Sequence, residues 1–385
     1  MSSFLTPHYI GYELTHTISE PFGPEFPERP SLFVDREEEL AFILTYLDQV
    51  ARPPGVLLFG QGGIGKTTTA IEAAYRSWER RDFEEVLFLT AKIAYWNLED
   101  RHEIIVDRRR GQSRFATFKG LLDRLNMNID RPYYRSSNRN DEEARRKHLY
   151  SKLEGRRVLF VIDNLDSINR PTYEELRKFV DLVNFLPPGN KAIITSRQGG
   201  ALKGHGLIEL ELASLDLQAS YALISSLATD VHLPTYQYRE LLENTVGNPL
   251  VIEQLAVLLK RTDSRRVSQV LDTAKRKGML SYLFQAALSQ ISQNGRKVLY
   301  AIVLATYPVT SRFLTNVLNL PPEEVETALK ELGEWSLLTR RGQRYDVHYL
   351  LEEYISELMR NSPKPWERLS RDIQSKETTL DDRYF

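Results

Sequence analysis

The sequence predicts an α/β fold in which a parallel sheet is followed by an all-helical region and then by three helices and a β-hairpin. Four short apolar segments are separated by helical stretches, at 56–59, 86–90, 158–162 and 192–195. Continuous apolar runs at this spacing indicate parallel strands buried on both faces. Strand patterns end near residue 213, after an alternating segment at 207–212 that predicts a fifth strand.

Composition narrows the class of protein. The 385 residues suit two or three domains, and a net charge of −1 provides no global field toward nucleic acid or a membrane. The chain has no cysteine, which excludes disulfides, thiol catalysis and cysteine-based zinc sites. No apolar run approaches the roughly 18 residues of a membrane helix, and the first residues lack a signal-peptide pattern. We therefore expect a cytoplasmic protein with no membrane partner.

Outside the sheet, apolar periodicity predicts helices, and proline and glycine residues indicate where they are interrupted. Residues 1–30 contain five prolines and predict an irregular tail, after which Asp35 is predicted to cap a helix. Residues 213–285 predict several short helices, interrupted at Gly247-Asn248-Pro249. Helices at about 286–304, 311–319 and 322–334 precede a hairpin that turns at Gly342, the pattern of a winged helix over 286–360. Residues 361–385 are polar and predict a C-terminal tail.

A glycine-rich motif of the form G-x-x-x-x-G-K-T follows the first strand. It comprises Gly60, Gln61, Gly62, Gly63, Ile64, Gly65, Lys66 and Thr67, and Thr68 continues it into a helix. Strand, glycine loop and helix in this order are the context of a P-loop, in which backbone N–H groups and the helix N-terminus bind phosphate. We predict that the chain binds a nucleoside triphosphate, with Lys66 on the β- and γ-phosphates and the Thr67 hydroxyl on Mg²⁺.

Three further residues are predicted to complete this site. Asp163 ends the strand 158–162, which we expect to neighbour the P-loop strand, and its carboxylate is the predicted second Mg²⁺ residue. The position after it, where many P-loop ATPases have a base, is Asn164, which cannot take a proton. Asp166 either orients the attacking water or caps a helix, so hydrolysis is expected to be slow. Arg197 ends the next strand and either senses the γ-phosphate or is a surface arginine.

Taken in order, these motifs resemble those of the NB-ARC type of STAND signal-transduction ATPases. Phe33–Glu37 resembles the entry motif on the adenine side, which implies nucleotide contacts for Val34 and Arg36. Gly247–Leu250 matches the G-x-P motif, whose proline, here Pro249, packs near the adenine. Tyr345–His348 matches the winged-helix motif whose histidine, here His348, contacts the β-phosphate of ADP. The resemblance implies a nucleotide-binding domain at 31–212, a helical domain at 213–285 and a winged-helix domain at 286–360.

The resemblance further implies a molecular switch. The switch is closed with ADP, hydrolyses ATP slowly, and with ATP opens or forms a homo-oligomer that signals to an effector or sensor partner. Two positions depart from the family pattern, Asn164 and Tyr349, which replaces the aspartate that often follows the histidine. No effector pattern precedes residue 31 and no sensor repeats follow residue 360, so we expect a minimal protein or a fragment.

Two alternatives stay open. A winged helix on an ATPase also describes DNA-binding regulators and replication initiators, but the predicted third helix carries four acids and one lysine over 322–331, the wrong sign for phosphate. The basic and aromatic region 95–147 is predicted to be a solvated insertion or an oligomer contact rather than a site for single-stranded nucleic acid. A catalytically inert nucleotide-binding scaffold is the other alternative, because Asn164 allows it.

Overall fold

The five predicted strands form one parallel sheet at the centre of the first half of the chain. A computed structural model describes residues 26–48, 52–91, 94–97, 102–105, 115, 117–130, 132, 141–167, 173–197, 199, 202, 204–261, 278–305, 308–341, 343–361 and 369–373. The strands are β1 (Gly55–Phe59), β2 (Glu85–Thr90), β5 (Val158–Asp163), β6 (Lys191–Ser196) and β7 (Ile208–Glu211), and a separate hairpin joins β3 (Ala94–Asn97) to β4 (His102–Ile105). The sheet order is β2-β5-β6-β1-β7, with every pair parallel. All five carboxyl ends therefore lie at one edge.

Helices cover both faces of this sheet. One face carries α1 (Glu37–Leu47) and α2 (Lys66–Glu79), and the other carries α3 (Phe118–Ile129), α4 (Glu142–Leu153) and α5 (Tyr173–Asn184). Side chains alternate along each strand: Phe160 of β5 belongs to the core under α3–α5, and Leu159 and Val161 belong to the core under α1 and α2. Burying each of these side chains contributes roughly 1.5–3 kcal/mol, so the apolar runs specify a sheet with two covered faces.

The strand order corrects one expectation about the site. β5, which ends in Asp163, was expected to neighbour β1, but β6 lies between these strands and pairs with both. Parallel buried strands have similar apolar compositions, so their order cannot be read from the sequence. As a consequence, the polar residues at the end of β6 lie between the P-loop and Asp163.

The α1 start and the basic insertion also differ from expectation. Helix α1 begins after Arg36 with no side-chain cap, and Asp35 has a left-handed φ of 52° instead of capping the helix. Arg145, part of the region expected to be a solvated insertion or an oligomer contact, is fully buried on α4 and pairs with Asp123 of α3. Much of the basic and aromatic region lies outside the described residues, including Arg108–Arg110, Arg114, Tyr133–Arg135 and Arg139.

In the described residues 215–261 and 278–290, four helices follow the sheet and form the helical unit, residues 215–290. They are α6 (Leu217–Leu227), α7 (Thr235–Thr245), α8 (Pro249–Lys260) and α9 (Met279–Gln290), and they share a core that includes Leu241, Ile252 and Leu255. The helix predicted at 286–304 is in fact two helices, because α9 ends at Gln290 and Ser292 caps a new helix through a 2.9 Å bond from the Gly295 N–H.

The C-terminal unit, residues 293–361, contains the helices and hairpin predicted for a winged helix. Its elements are α10 (Gln293–Leu304), β8 (Val309–Thr310), α11 (Ser311–Leu318), α12 (Pro322–Glu334), β9 (Thr339–Arg341), β10 (Arg344–Asp346) and α13 (Tyr349–Asn361). The strands form an antiparallel sheet in the order β8-β10-β9. Gly342, the predicted turn residue, lies outside the described residues, as do residues 1–25 of the predicted N-terminal tail and most of the predicted C-terminal tail. In the part of the chain that the structure covers, no helix has the length and apolar character needed to cross a bilayer.

Candidate nucleotide site

The P-loop lies at the carboxyl edge of the sheet, between β1 and the N-terminus of α2. Gly65 occupies the N-cap position of α2, and helix α2 begins at Lys66. The Lys66 side chain folds back over the loop, where Nζ donates to the carbonyl oxygens of Gly60 and Gln61 at 2.8 Å each. Burial lowers the pKa of Lys66 to about 8, against the opposing effect of the Asp166 and Asp163 carboxylates. The predicted phosphate lysine is therefore a buried cation at the loop itself.

A hydroxyl–carboxylate pair stands where the sequence predicts Mg²⁺. The Thr67 hydroxyl donates to Asp163 Oδ1 at 2.6 Å, and Asp163 is 1% exposed. Thr195, on the intervening strand β6, donates to the same oxygen at 2.6 Å, and the Asn164 side-chain amide donates to Oδ2 at 2.8 Å. A carboxylate and a hydroxyl are hard oxygen ligands of the kind that Mg²⁺ prefers, so these residues fit the ion.

Asp166 and Arg197 form a pair next to this cluster. Asp166 lies in a 3₁₀ turn, Leu165–Ser167, immediately after β5, and Arg197 follows β6. The Arg197 backbone N–H donates to Asp166 Oδ1 at 2.7 Å, and its Nε donates to Oδ2. Both carboxylate oxygens therefore face Arg197, a contact that neither of the roles expected for Asp166 had included.

The entry segment connects the P-loop to the helical unit. Arg36 is 6% exposed, and its Nη2 donates to the Ala213 carbonyl at 2.5 Å and to the Ile64 carbonyl at 3.5 Å. Val34 is partly buried against the core of the helical unit. Arg36 thus bridges the loop and the connector after β7, while Val34 lies next to the α6–α8 helices.

Pro249 and its neighbours bring the helical unit onto the P-loop. Pro249 is the first residue of α8, and Asn248 caps this helix by accepting from the N–H groups of Leu250 and Val251. The same Asn248 side chain donates through Nδ2 to the Gly62 carbonyl at 2.9 Å. The G-x-P segment therefore contacts the loop directly, through Asn248, which lies between Gly247 and Pro249.

His348 immediately precedes the helix α13. Its backbone carbonyl accepts from the N–H groups of Leu351 and Glu352 at 3.0 Å, and its Nδ1 accepts from the Leu350 N–H at 3.2 Å. The Leu350 side chain packs over the P-loop: a Cβ placed on Gly62 would lie 3.1 Å from Leu350 Cδ2. The C-terminal unit therefore reaches the same glycine that the helical unit contacts.

A cavity of about 650 Å³ lies between α8 and the C-terminal unit. Its lining includes Ser31, Leu250, Glu253 and His348, and burial raises the pKa of the Glu253 carboxyl. Among the predicted site residues His348 alone lines it, so the cavity lies beside the P-loop rather than over it. Its volume is within the range of small-molecule sites.

Sequence reasoning missed three residues of this site. Thr195 interrupts an apolar strand with a hydroxyl, and Asn248 stands at a favoured N-cap position before a proline, so both had local signals. Leu350 had none, because only the packing of the C-terminal unit brings it to Gly62.

Known proteins with similar sequences and structures agree with this architecture. Residues 32–194 match the family model described as AAA ATPase domain. A STAND protein with a tetratricopeptide repeat sensor from Pyrococcus horikoshii is similar in structure, with a TM-score of 0.61 and 17% identity over 93% of this chain and 47% of that chain.

Two curated proteins are similar in sequence. An uncharacterized WD repeat-containing protein from Nostoc sp. is 23% identical over 356 residues, which is 85% of this chain and 26% of that protein. The transcription activator GutR of Bacillus subtilis is 19% identical over 376 residues, 90% of this chain and 42% of that protein. This chain spans less than half the length of each of these three relatives. Residues 32–194 therefore form an AAA-type P-loop ATPase domain, and the chain has the fold of a STAND-class P-loop ATPase.

Proposed function

We propose that this chain is a nucleotide-dependent molecular switch that binds ADP and ATP at its P-loop and hydrolyses ATP slowly. The observation that carries the proposal is that one glycine of the loop touches both other units. Asn248 of the helical unit donates to the Gly62 carbonyl, and Leu350 of the C-terminal unit packs over Gly62. A change in what the loop binds is therefore sensed by both units at once.

The phosphates would lie at the P-loop and the nucleoside beside it. Lys66 and the N-terminus of α2 supply positive charge for the phosphates. Backbone N–H groups of the glycine loop, continued by Thr68, complete the predicted phosphate site. The part of the cavity near Ser31, Leu250 and His348 offers room for the base and ribose. Val34 and Pro249 are the residues predicted to contact the adenine.

Thr67 and Asp163 would hold Mg²⁺, which when bound screens the charge between the β- and γ-phosphates. Three side chains hold the Asp163 carboxylate in place: Thr67, Thr195 and Asn164. Because these bonds fix its orientation, the carboxylate needs little rearrangement to serve as a ligand. Arg197 follows the adjacent strand and would contact the γ-phosphate of ATP but not ADP.

Hydrolysis is expected to be slow because Asn164 replaces the usual base and the carboxylate of Asp166 is paired with Arg197. The Asn164 amide cannot accept a proton from water, and its Nδ2 donates to Asp163 Oδ2. Asp166 directs both oxygens to Arg197. A slow step after ATP binding gives the ATP state a long lifetime, which suits a switch more than a metabolic enzyme.

In the proposed cycle ADP favours the contacts seen here, and ATP weakens them. A nucleotide shifts such an equilibrium only by its different affinity for the two states. Charge-assisted hydrogen bonds of about 1.5–3 kcal/mol, such as one from Arg197 to a γ-phosphate, are large enough to shift the equilibrium roughly ten- to a hundredfold. The open state would expose surfaces for homo-oligomer formation and for an effector or sensor partner.

DNA binding is the second candidate, and the name of the GutR relative is what favours it. The third helix of the C-terminal unit, α12, argues against that role. Its exposed residues include Glu323, Glu324 and Glu326, whose carboxylates would repel DNA phosphates. We therefore place nucleic acid second.

The nucleotide retained by freshly purified protein tests the proposal. The protein is denatured and the released nucleotide is identified by ion-exchange chromatography. We expect near-stoichiometric ADP, because contacts from both units close over the loop. Protein that carries no nucleotide, and that fails to bind added ADP or ATP with Mg²⁺, would contradict the proposal.

A histidine substitution tests the closed state separately. We expect His348→Ala to release a fluorescent ADP analogue about tenfold faster, because a donor to the β-phosphate is removed. The alanine also removes the Nδ1 cap of α13, so His348→Asn, which retains a capping oxygen, is the matched control. Fast release from both variants supports the phosphate contact, whereas fast release from the alanine variant alone assigns the effect to the cap.

A further inference from the structure

We propose that Asn248 is a positioning residue that holds the P-loop in its phosphate-binding conformation from the helical unit. The inference rests on the proposed nucleotide site and assigns it a residue that none of the recognised motifs specifies. Asn248 lies 186 residues after Gly62 in the chain, yet its Nδ2 donates to the Gly62 carbonyl at 2.9 Å.

Each end of the Asn248 amide has a different partner. Its oxygen accepts from the Leu250 and Val251 N–H groups at 3.1 and 3.5 Å, which caps α8. Its NH₂ group donates to the loop. Only this orientation of the amide satisfies both sets of partners, because backbone N–H groups need an acceptor and the carbonyl needs a donor.

The contact fixes the direction of two successive peptide groups. The Gly62 carbonyl points to Asn248, and the Gly63 carbonyl accepts from the Leu250 N–H at 3.4 Å. In a trans peptide the C=O and N–H groups point in opposite directions, so the N–H groups of Gly63 and Ile64 face away from α8. Inward-facing N–H groups are what an anion-binding loop requires.

The contact with Asn248 also requires a glycine at position 63 of the loop. A Cβ on Gly63 would lie 2.8 Å from Asn248 Oδ1, and the residue has a φ of 76°. The loop and the Asn248 side chain therefore fit each other closely. Because α8 belongs to the helical unit, movement of this unit changes the orientation of loop peptides, and the loop's ligand affects the start of α8.

Substitutions at Asn248 separate the cap from the loop contact. Asn248→Asp keeps the capping oxygen and loses the donor, since Asn and Asp are similar as N-caps. Asn248→Ser also caps but is uncharged and too short to reach the Gly62 carbonyl while capping. Asn248→Gly is well tolerated at an N-cap and replaces the serine variant if that one is unstable. Asp216→Asn changes a cap of the same unit, where Oδ1 accepts from the Ala219 N–H at 2.7 Å, and is the control.

The experiment measures release of a fluorescent ADP analogue, competition by inorganic pyrophosphate, and hydrogen exchange of the backbone amides of residues 250–252. We expect the Asp and Ser variants to release the analogue about tenfold faster and to bind pyrophosphate about tenfold more weakly, because the peptide groups lose their fixed direction. ADP should slow exchange at the start of α8 in the wild type and not in these variants. The Asp216→Asn protein should behave as wild type.

Three outcomes decide the inference. Wild-type release rates in the neutral variant, serine or glycine, would overturn it. A loss confined to the aspartate variant would overturn it as well, because repulsion between a carboxylate and the phosphates would then explain the loss. If the wild type itself binds neither the analogue nor pyrophosphate, the proposed function fails instead.

Discussion

Two buried lysines lie at opposite edges of the central sheet and differ in what surrounds them. Lys66 follows the carboxyl end of β1, whereas Lys191 is the first residue of β6, at the amino edge. They are 6% and 2% exposed, and burial lowers the pKa of each to about 8. By burial and pKa alone the two are indistinguishable.

The groups that surround Lys66 and Lys191 distinguish the two lysines. Lys66 bonds two loop carbonyls and lies near the carboxylates of Asp163 and Asp166. Lys191 lies near Arg52, which lowers its pKa further, and Asp48, which opposes this. A lowered pKa reports removal from water, and only the convergence of groups predicted to bind phosphate distinguishes Lys66 as a residue of the proposed ligand site.

The largest expected difference between the two edges is in nucleotide affinity. Lys66→Ala should weaken binding of a fluorescent ADP analogue about a hundredfold, because a buried charge-assisted bond to phosphate is worth about 1.5–3 kcal/mol. Lys191→Met should leave the affinity within about twofold. Similar losses in both variants would show that burial of a lysine, and not its position, controls binding.

A smaller effect is expected at the Asp166–Arg197 pair. Arg197→Ala should lower the preference for ATP over ADP about tenfold, because only ATP offers a γ-phosphate to the guanidinium. Arg52→Ala, near the other lysine, should leave this preference unchanged. Equilibrium titrations with ADP and a non-hydrolysable ATP analogue measure the ratio of the two affinities in each variant.

Asp166→Asn sharpens the same prediction. If Asp166 orients Arg197, this variant should reduce the ATP preference as Arg197→Ala does, and the double variant should show no further loss. If Asp166 activates water, the rate of phosphate release should fall while the ATP preference is retained.

The smallest effect concerns stability and pH at Lys191. Its pKa is about 8 in the folded protein and near 10.5 when exposed, so the unfolded chain binds more protons between these values. The free energy of unfolding contributed by Lys191 therefore rises with pH across this window, on the order of 1 kcal/mol. Urea unfolding at pH 7.5 and 9.5 gives the free energy of unfolding of the wild type and of Lys191→Met. The prediction is that the difference between the two proteins changes between these pH values. A difference that is constant with pH would contradict a titrating buried lysine.

The sequence predicts features that depend on neighbouring residues, but not contacts between residues that are far apart in the chain. The five strands, their parallel direction and the polar residues after them follow from local patterns, because each strand is an apolar run. The strand order does not, so Thr195 was not expected between the P-loop and Asp163. The Arg197–Asp166 and Asn248–Gly62 contacts join residues 31 and 186 positions apart, and no local pattern encodes them. The break between α9 and α10 had a local signal in Ser292, which the continuous helical periodicity concealed.

The glycine of the G-x-P segment affects how homologous sequences can be identified. Gly247 has a φ of 65°, its carbonyl accepts from the Leu215 N–H at 2.9 Å, and a Cβ there would lie 2.0 Å from the Leu215 carbonyl oxygen. The crossing of two backbone segments therefore requires a glycine at this position. We expect homologues that have lost the P-loop lysine to retain this glycine. A search that relies on the G-x-P segment would then collect degenerate family members together with active ones, and the lysine would have to be checked separately.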